Sequence, residues 1–141
     1  MIILDTTVLS ALMRRSEQPQ IIAWFNSQDV ELLCTTVVSV QELRYGIELL
    51  PLSRRRRAME RDLRLTLDQE LNSRVIPFDI DAALSAATIA ARRYRAGRPV
   101  GLADTQIAGI AVSRGAAVAT HNVRHFADLP IPVIDPSSVS G

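Results

Sequence analysis

An α/β domain, a parallel sheet covered by helices, is what this sequence predicts, and three observations carry it. Short apolar runs of the kind that form buried parallel strands alternate with stretches of helical periodicity. Acids stand where one kind of segment gives way to the other, Asp5 being the first. The 141 residues suit a single domain, residues 1–141, able to bury roughly two thirds of the surface that the unfolded chain exposes.

Taken in order, the first strand is expected at Ile2–Leu4, with a helix that follows Asp5 directly and ends near Arg14. A second helix covers Pro19–Ser27, and a second strand lies at residues 32–35. Ser39 opens a third helix whose face is marked by Val40, Leu43, Ile47 and Leu50 before Pro51 breaks it. Met59, Leu63, Leu67 and Leu71 recur every four residues, which makes residues 53–73 a strongly amphipathic helix whose stripe is expected to dock into the core. A third strand is expected at residues 75–78. Helices at residues 81–96 and 103–114 then end at Gly97 and Gly115, the second releasing the chain into a strand at Ala117–Ala119. The last strand is Val133–Ile134, and residues 137–141 are expected to fray.

Composition narrows the class. Net charge is +1, and all sixteen basic residues are arginine, so the chain contains no lysine. Arg54, Arg55, Arg56, Arg57, Arg61 and Arg64 crowd into one segment, suited either to phosphate contact or, with Glu60, Asp62, Asp68 and Glu70 close by, to a solvated helix face. The single cysteine, Cys34, lies in an apolar run and reads as a buried reduced thiol, consistent with the cytoplasm. Asp5 interrupts the apolar start and no cationic leader precedes it, so neither a signal peptide nor a membrane span is expected.

Three carboxylates, Asp5, Glu42 and Asp104, are read at the starts of helices, where backbone N–H groups favour negative charge and keep acids ionised. Gathered in one crevice they would need cations, and oxygen ligands suit hard ions such as Mg2+ or Mn2+. Each has a plain structural alternative. Asp5 ends a strand, where open α/β sheets bind ligands, but it also suits a cap for a helix beginning at Thr6 or Thr7. Glu42 is the fourth residue of Ser39-Val40-Gln41-Glu42, a capping-box pattern, although Gly46 one turn on leaves room for a close approach. Asp104 tops a helix face of Ile107, Ala108 and Ala111 that should be buried, so it needs a partner. Asp79 and Asp81 read as turn and cap residues, Asp128 and Asp135 as loop residues, and His121 and His125 as surface or satisfied polar groups without a zinc pattern.

Absences remove competing chemistries. Receiver domains and haloacid-dehalogenase-like phosphatases also begin with an aspartate after the first strand. Both rely on a lysine, and the latter on a second aspartate where this chain has Thr7. No P-loop, no Gly-x-Gly-x-x-Gly fingerprint after a strand and no Gly-x-Ser-x-Gly elbow is present.

Four segments together resemble the PIN-domain ribonucleases, and within them the VapC toxins of type II toxin-antitoxin pairs, particularly the FitB-like branch. They are Ile3-Leu4-Asp5-Thr6-Thr7-Val8, then Ser39-Val40-Gln41-Glu42-Leu43-Arg44-Tyr45-Gly46, then Leu102-Ala103-Asp104-Thr105-Gln106-Ile107-Ala108, and finally Ala119-Thr120-His121-Asn122. The resemblance spans nearly the whole chain. It implies a PIN-like three-layer α/β/α sandwich whose acidic pocket is assembled by Asp5, Glu42 and Asp104, supported by Thr6 and Thr120. It also implies a Mg2+- or Mn2+-dependent endoribonuclease acting on RNA, usually dimeric, neutralised by a cognate antitoxin.

Asn122 departs from the pattern, since many relatives carry a fourth acid there, and His125 replaces another common acid. Two divalent ions, three carboxylates and one scissile phosphate sum to zero, where a fourth carboxylate would leave −1; Asn122 can still support the pocket through a carbonyl oxygen, but weaker metal binding or one tightly held ion is expected. Two other readings stay open. A silent binding module would use the acids only as caps and would survive loss of the Asp5 charge, and a DNA-directed nuclease would share the same acid chemistry.

Overall fold

A computed structural model describes residues 1–138. Strands β1 (Ile2–Leu4), β2 (Leu33–Thr36), β3 (Val75–Ile76), β4 (Ala117–Ala119) and β5 (Val133–Ile134) form one parallel sheet in the order β3-β2-β1-β4-β5. Alternation along β1 explains the layers. Ile3 faces a core with Val118, Ile107 and Ile110, while Leu4 faces a second with Val8, Leu9, Trp24 and Ala119. A sheet buried on both faces is the middle layer of an α/β/α sandwich, as expected.

Among the described residues six α-helices cover it: α1 (Thr6–Met13), α2 (Pro19–Ser27), α3 (Val37–Glu48), α4 (Arg54–Leu65), α5 (Ile80–Arg95) and α6 (Leu102–Arg114). Their starts follow from local chemistry. Asp5, Ser53 and Asp79 each accept a backbone N–H of the first turn, and Pro19 lacks the N–H that a first turn leaves unpaired anyway. Gly115 ends α6 with φ at +62°, a left-handed turn that costs glycine little.

Several expected boundaries move, each for a local reason. A 3-10 turn over Val30–Leu32, capped by Asp29, delays β2 by one residue. β3 stops at Ile76 because Pro77 has no N–H to continue the ladder. Ser39 is not the helix cap: Thr36 Oγ1 accepts the Ser39 N–H at 3.2 Å, so α3 begins at Val37 and Glu42 sits inside the helix rather than at its start. The expected capping box is therefore absent. Gly46 faces open space, and a methyl group on it would meet no atom within 4 Å.

The helix expected at residues 53–73 is α4 followed by a π turn, Thr66–Glu70. A strict four-residue repeat drifts by about 40° per step around a 3.6-residue helix. The wider turn takes up that drift and keeps Leu67 and Leu71 against the core beside Leu9 and Leu12. Asn72 and Ser73 then adopt left-handed φ of 49° and 58° to end it. Ser137 donates to Asp135 through backbone and hydroxyl, so it is tied down rather than frayed; residues 139–141 lie outside the described residues. Cys34 is buried and free, and burial pushes its thiol up to about 11, which keeps it protonated and inert. No helix among the described residues is long and apolar enough to cross a membrane.

Candidate active site

The chain leaves β1 and β4 side by side at the point where strand order reverses, since β2 and β3 lie on one side of β1 and β4 and β5 on the other. Open α/β sheets place their crevice outside the C-terminal ends of such strands. Asp5 follows β1 and Thr120 follows β4, and both are buried there. Thr120 Oγ1 donates to Asp5 Oδ2 at 2.5 Å and accepts the Asn122 N–H at 2.8 Å. Asp5 Oδ1 accepts from Thr7 Oγ1 at 2.6 Å and from the Val8 N–H at 3.1 Å. Asp5 is thus both cap and pocket floor, so the two readings of it coexist.

Glu42 reaches the same end of the sheet from α3. Its Oε1 lies 2.5 Å from Thr6 Oγ1, which is also 3.0 Å from Ser39 Oγ. A carboxylate only accepts, so the Thr6 proton goes to Glu42 and Ser39 donates to Thr6. Asp104 comes from the first turn of α6, and its Oδ2 lies 2.5 Å from His125 Nδ1. The partner that a half-buried acid requires is therefore His125.

Electrostatics set Asp5 apart. Burial lifts its pKa above the ordinary carboxylate value, against the lowering effect of the Thr120, Thr7 and Val8 hydrogen bonds, and the charge of Asp104 adds to the rise. Desolvation thus works against the preference of the helix start for a charged group at this position. Among the described residues no arginine side-chain nitrogen lies within 4.0 Å of a carboxylate oxygen of Asp5, Glu42 or Asp104. Oxygen donors carrying unneutralised charge are the donor set a hard divalent ion takes. As placed, no three such side chains among the described residues stand close enough together to hold one ion. Glu42 is turned to Thr6 and Asp104 to His125.

The residues named from sequence thus fall into two groups. Asp5, Thr120, Thr6, Glu42 and Asp104 line one region, linked by the bonds above and by the Asp5–Asp104 repulsion. Asn122 is exposed, and only its backbone bonds to Thr120 and His125. The pocket roles of Thr7 and His125 have no clear sequence signal. Thr7 bridges Asp5 to the His121 N–H at 3.0 Å, and the doubled threonine after Asp5 is all that hints at it.

Behind His125 stands Arg93, 3% exposed. Its guanidinium forks onto both Asp128 oxygens at 2.9 Å and also donates to the His125 carbonyl at 2.6 Å and Thr105 Oγ1 at 3.2 Å. The Arg93 hydrogen bonds hold the Asp128 carboxyl below the usual range. Asp128, expected to be a loop residue only, is therefore an anchor. Arg93→Ala is expected to cost about 3 kcal/mol, because it strands a carbonyl and a carboxylate and removes a packed stem. Asp128→Asn should cost less, since that side chain is 36% exposed. Urea unfolding checks both, and a loss under about 1 kcal/mol for Arg93→Ala would show the fork to be idle.

A three-layer α/β/α sandwich with unneutralised acids at the switch point of its sheet defines the class. A family profile described as PIN domain matches residues 2–131. The chain belongs to the PIN-domain family, among its VapC- and FitB-like members. It is 35% identical to VapC ribonuclease Y4jK of Sinorhizobium fredii over 96% of this chain and 97% of that protein. It is 29% identical to Toxin FitB of Neisseria gonorrhoeae over 96% of this chain and 98% of that one. A chain in the solved structure of FitAB bound to an IR36 DNA fragment superposes with a TM-score of 0.88 at 26% identity, covering 100% of this chain and 99% of that one.

Proposed function

We propose that this protein is the toxin of a type II toxin-antitoxin pair and a Mg2+- or Mn2+-dependent endoribonuclease that hydrolyses RNA phosphodiesters in the cytoplasm. One observation carries the chemistry: Asp5 is buried at the sheet's switch point, where burial and then the nearby Asp104 charge raise its pKa, and no arginine side chain pairs with either acid in a chain with sixteen arginines. The 35% identity to a protein named a ribonuclease supports the substrate class.

Asp5, Asp104 and Glu42 are the residues that would hold the ion, Glu42 directly or through water. For this, Glu42 must release Thr6 and Asp104 must release His125. A bound divalent ion supplies an activated water and neutralises charge on the scissile phosphate. Thr120, Thr7 and the Val8 N–H fix the Asp5 carboxylate so that its oxygens cannot rotate away. Glu42, exposed at the pocket edge, is placed to accept a proton from a water that attacks the phosphate.

Neutralisation by a cognate antitoxin is part of the same reading, supported by a relative named a toxin and by the similarity to chains in solved FitAB and VapBC structures. A homodimer is part of the proposal too. Tyr45 and Leu102, 56% and 75% exposed, flank a groove beside Glu42, and sedimentation should read a two-chain mass.

The test is cleavage of a mixed pool of structured RNAs with Mg2+ or Mn2+, beside EDTA and an Asp104→Asn variant. Metal-dependent cutting absent from both controls is the expected result. Cutting that survives Asp104→Asn would sink the assignment. Because Asn122 supplies no charge, calorimetry on the free protein should give one tight Mg2+ site, and two would contradict that reading.

A further inference from the structure

A cleft of about 330 Å³ lies behind His125, lined by Arg92, Arg93, Arg98, Arg124, His125 and Asp128 among others. Three separate elements supply its charge. Arg92 comes from the last turn of α5, Arg98 from the reversal after Gly97, and Arg124 from the 3-10 turn Val123–His125. The reversal is built, since the Arg98 N–H donates to the Arg93 carbonyl at 2.9 Å. Four arginines against one aspartate leave the lining at +3 with the histidine neutral.

Most of that charge is not spent inside the chain, Arg98 acting on Asp128 only at longer range. Arg93 takes both Asp128 oxygens, and among the described residues Arg92, Arg98 and Arg124 have no carboxylate within 4.0 Å and make no side-chain hydrogen bond. Arg44 and Arg56, on α3 and α4, are by contrast paired with Glu48 and Glu60. The α5 helix dipole accounts for a cation such as Arg92 near its C-terminus, but not for Arg124 from another element. His125 connects the two regions. It lines the cleft, and its Nδ1 is 2.5 Å from Asp104.

We propose that this arginine cleft, continuous with Asp104 through His125, binds backbone phosphates of the RNA strand beside the scissile position. The inference rests on the nuclease reading for the identity of the strand, and on the cleft alone for phosphate binding. Guanidinium groups suit phosphate oxygens through paired N–H donors, and they do so without reading sequence.

The experiment is binding of a labelled single-stranded RNA by the whole protein in EDTA, by anisotropy, across a salt series. Arg92→Ala/Arg98→Ala/Arg124→Ala should weaken binding and lower the magnitude of the log K against log salt slope by about 2, the value for three phosphate contacts on a single strand. All three side chains are exposed, and an unchanged melting temperature confirms that the variant folds. The corresponding lysine variant should keep most of the slope. A DNA strand of the same sequence should lose as much, and a loss confined to RNA would overturn phosphate contact in favour of ribose recognition. An unchanged slope would overturn the proposal, as would an equal loss in Arg54→Ala/Arg57→Ala/Arg61→Ala, which would reduce the effect to net charge. Equal affinity for an oligo-glutamate peptide, lost in the same variant, would overturn it by assigning the cleft to acidic protein. Because binding in EDTA needs no cutting, a wild-type protein that fails to cleave RNA defeats the nuclease reading and leaves this result standing.

Discussion

Asp5→Asn is expected to lower RNA cleavage by on the order of 10³-fold while raising the melting temperature of the metal-free protein at neutral pH. The two effects share one cause. Asp5 sits 1% exposed, with burial and the Asp104 charge both raising its pKa. A carboxyl whose folded pKa is above its unfolded value binds its proton more tightly in the native state. Its contribution to stability is therefore full below the unfolded pKa and is lost as pH rises through the folded one. At pH 7 the Asp5 charge costs stability.

Asparagine keeps the shape and removes that cost. Its carbonyl oxygen retains the bonds from Thr7 and Val8, and its amide faces Thr120 Oγ1, which turns to accept. The variant should melt about 3 °C above the wild type at pH 7 in EDTA, worth roughly 1 kcal/mol, with the gap closing towards pH 4. Saturating Mg2+ should raise the wild type and leave the variant unmoved, because only a native state that binds the ion gains from it. A variant that melts lower than the wild type at pH 7 would show that the hydrogen bonds to the carboxylate outweigh the cost of burying its charge, since asparagine caps a helix as well as aspartate does; the silent binding module requires instead that binding survive the substitution.

Features governed by neighbours in sequence are legible in it. Pro19–Ser27, the Asp79 cap and the Gly115 stop depend on groups a few residues apart, and they lie within a residue or two of where the sequence places them. The cap of α3 departs from expectation because two cap signals compete three residues apart. Thr36 wins through the sheet: its pairing with Ile76, and the bond from Thr35 Oγ1 to the Leu4 carbonyl, hold the chain extended one residue before α3. Nothing local encodes that pairing. The π turn is similar, since its benefit lies in the groove against α1 that it lets Leu67 and Leu71 fill.

At the site the acids themselves are readable, because each lies near a junction or on a patterned face. Their partners are not. His125 meets Asp104 across 21 positions and Arg93 meets Asp128 across 35, and no spacing rule relates them. The sequence therefore yields the donor set but neither the side chains that occupy it in the absence of a ligand nor the arginine anchor behind it.

Gly109→Ala should be the most damaging small substitution in the chain, although alanine is worth about 1 kcal/mol more than glycine in a helix interior. A methyl group there would stand 2.5 Å from the Ala82 carbonyl oxygen, 2.7 Å from Ala86 Cβ and 2.9 Å from Ala86 N. Two of those three atoms are backbone, so no side chain can turn away, and α5 and α6 must separate. Overpacking of this kind costs more than the propensity gain, and a net loss of about 3 kcal/mol, close to 10 °C in melting temperature, is expected. The damage should reach function, because α6 carries Asp104 in its first turn and Thr105 against Arg93. Adding Ala86→Gly removes the Cβ contact but leaves the Ala82 carbonyl in place, so rescue should be partial. A melting temperature equal to or above the wild type would show that the two helices are not locked at this point, and that Asp104 is positioned by something other than their close approach.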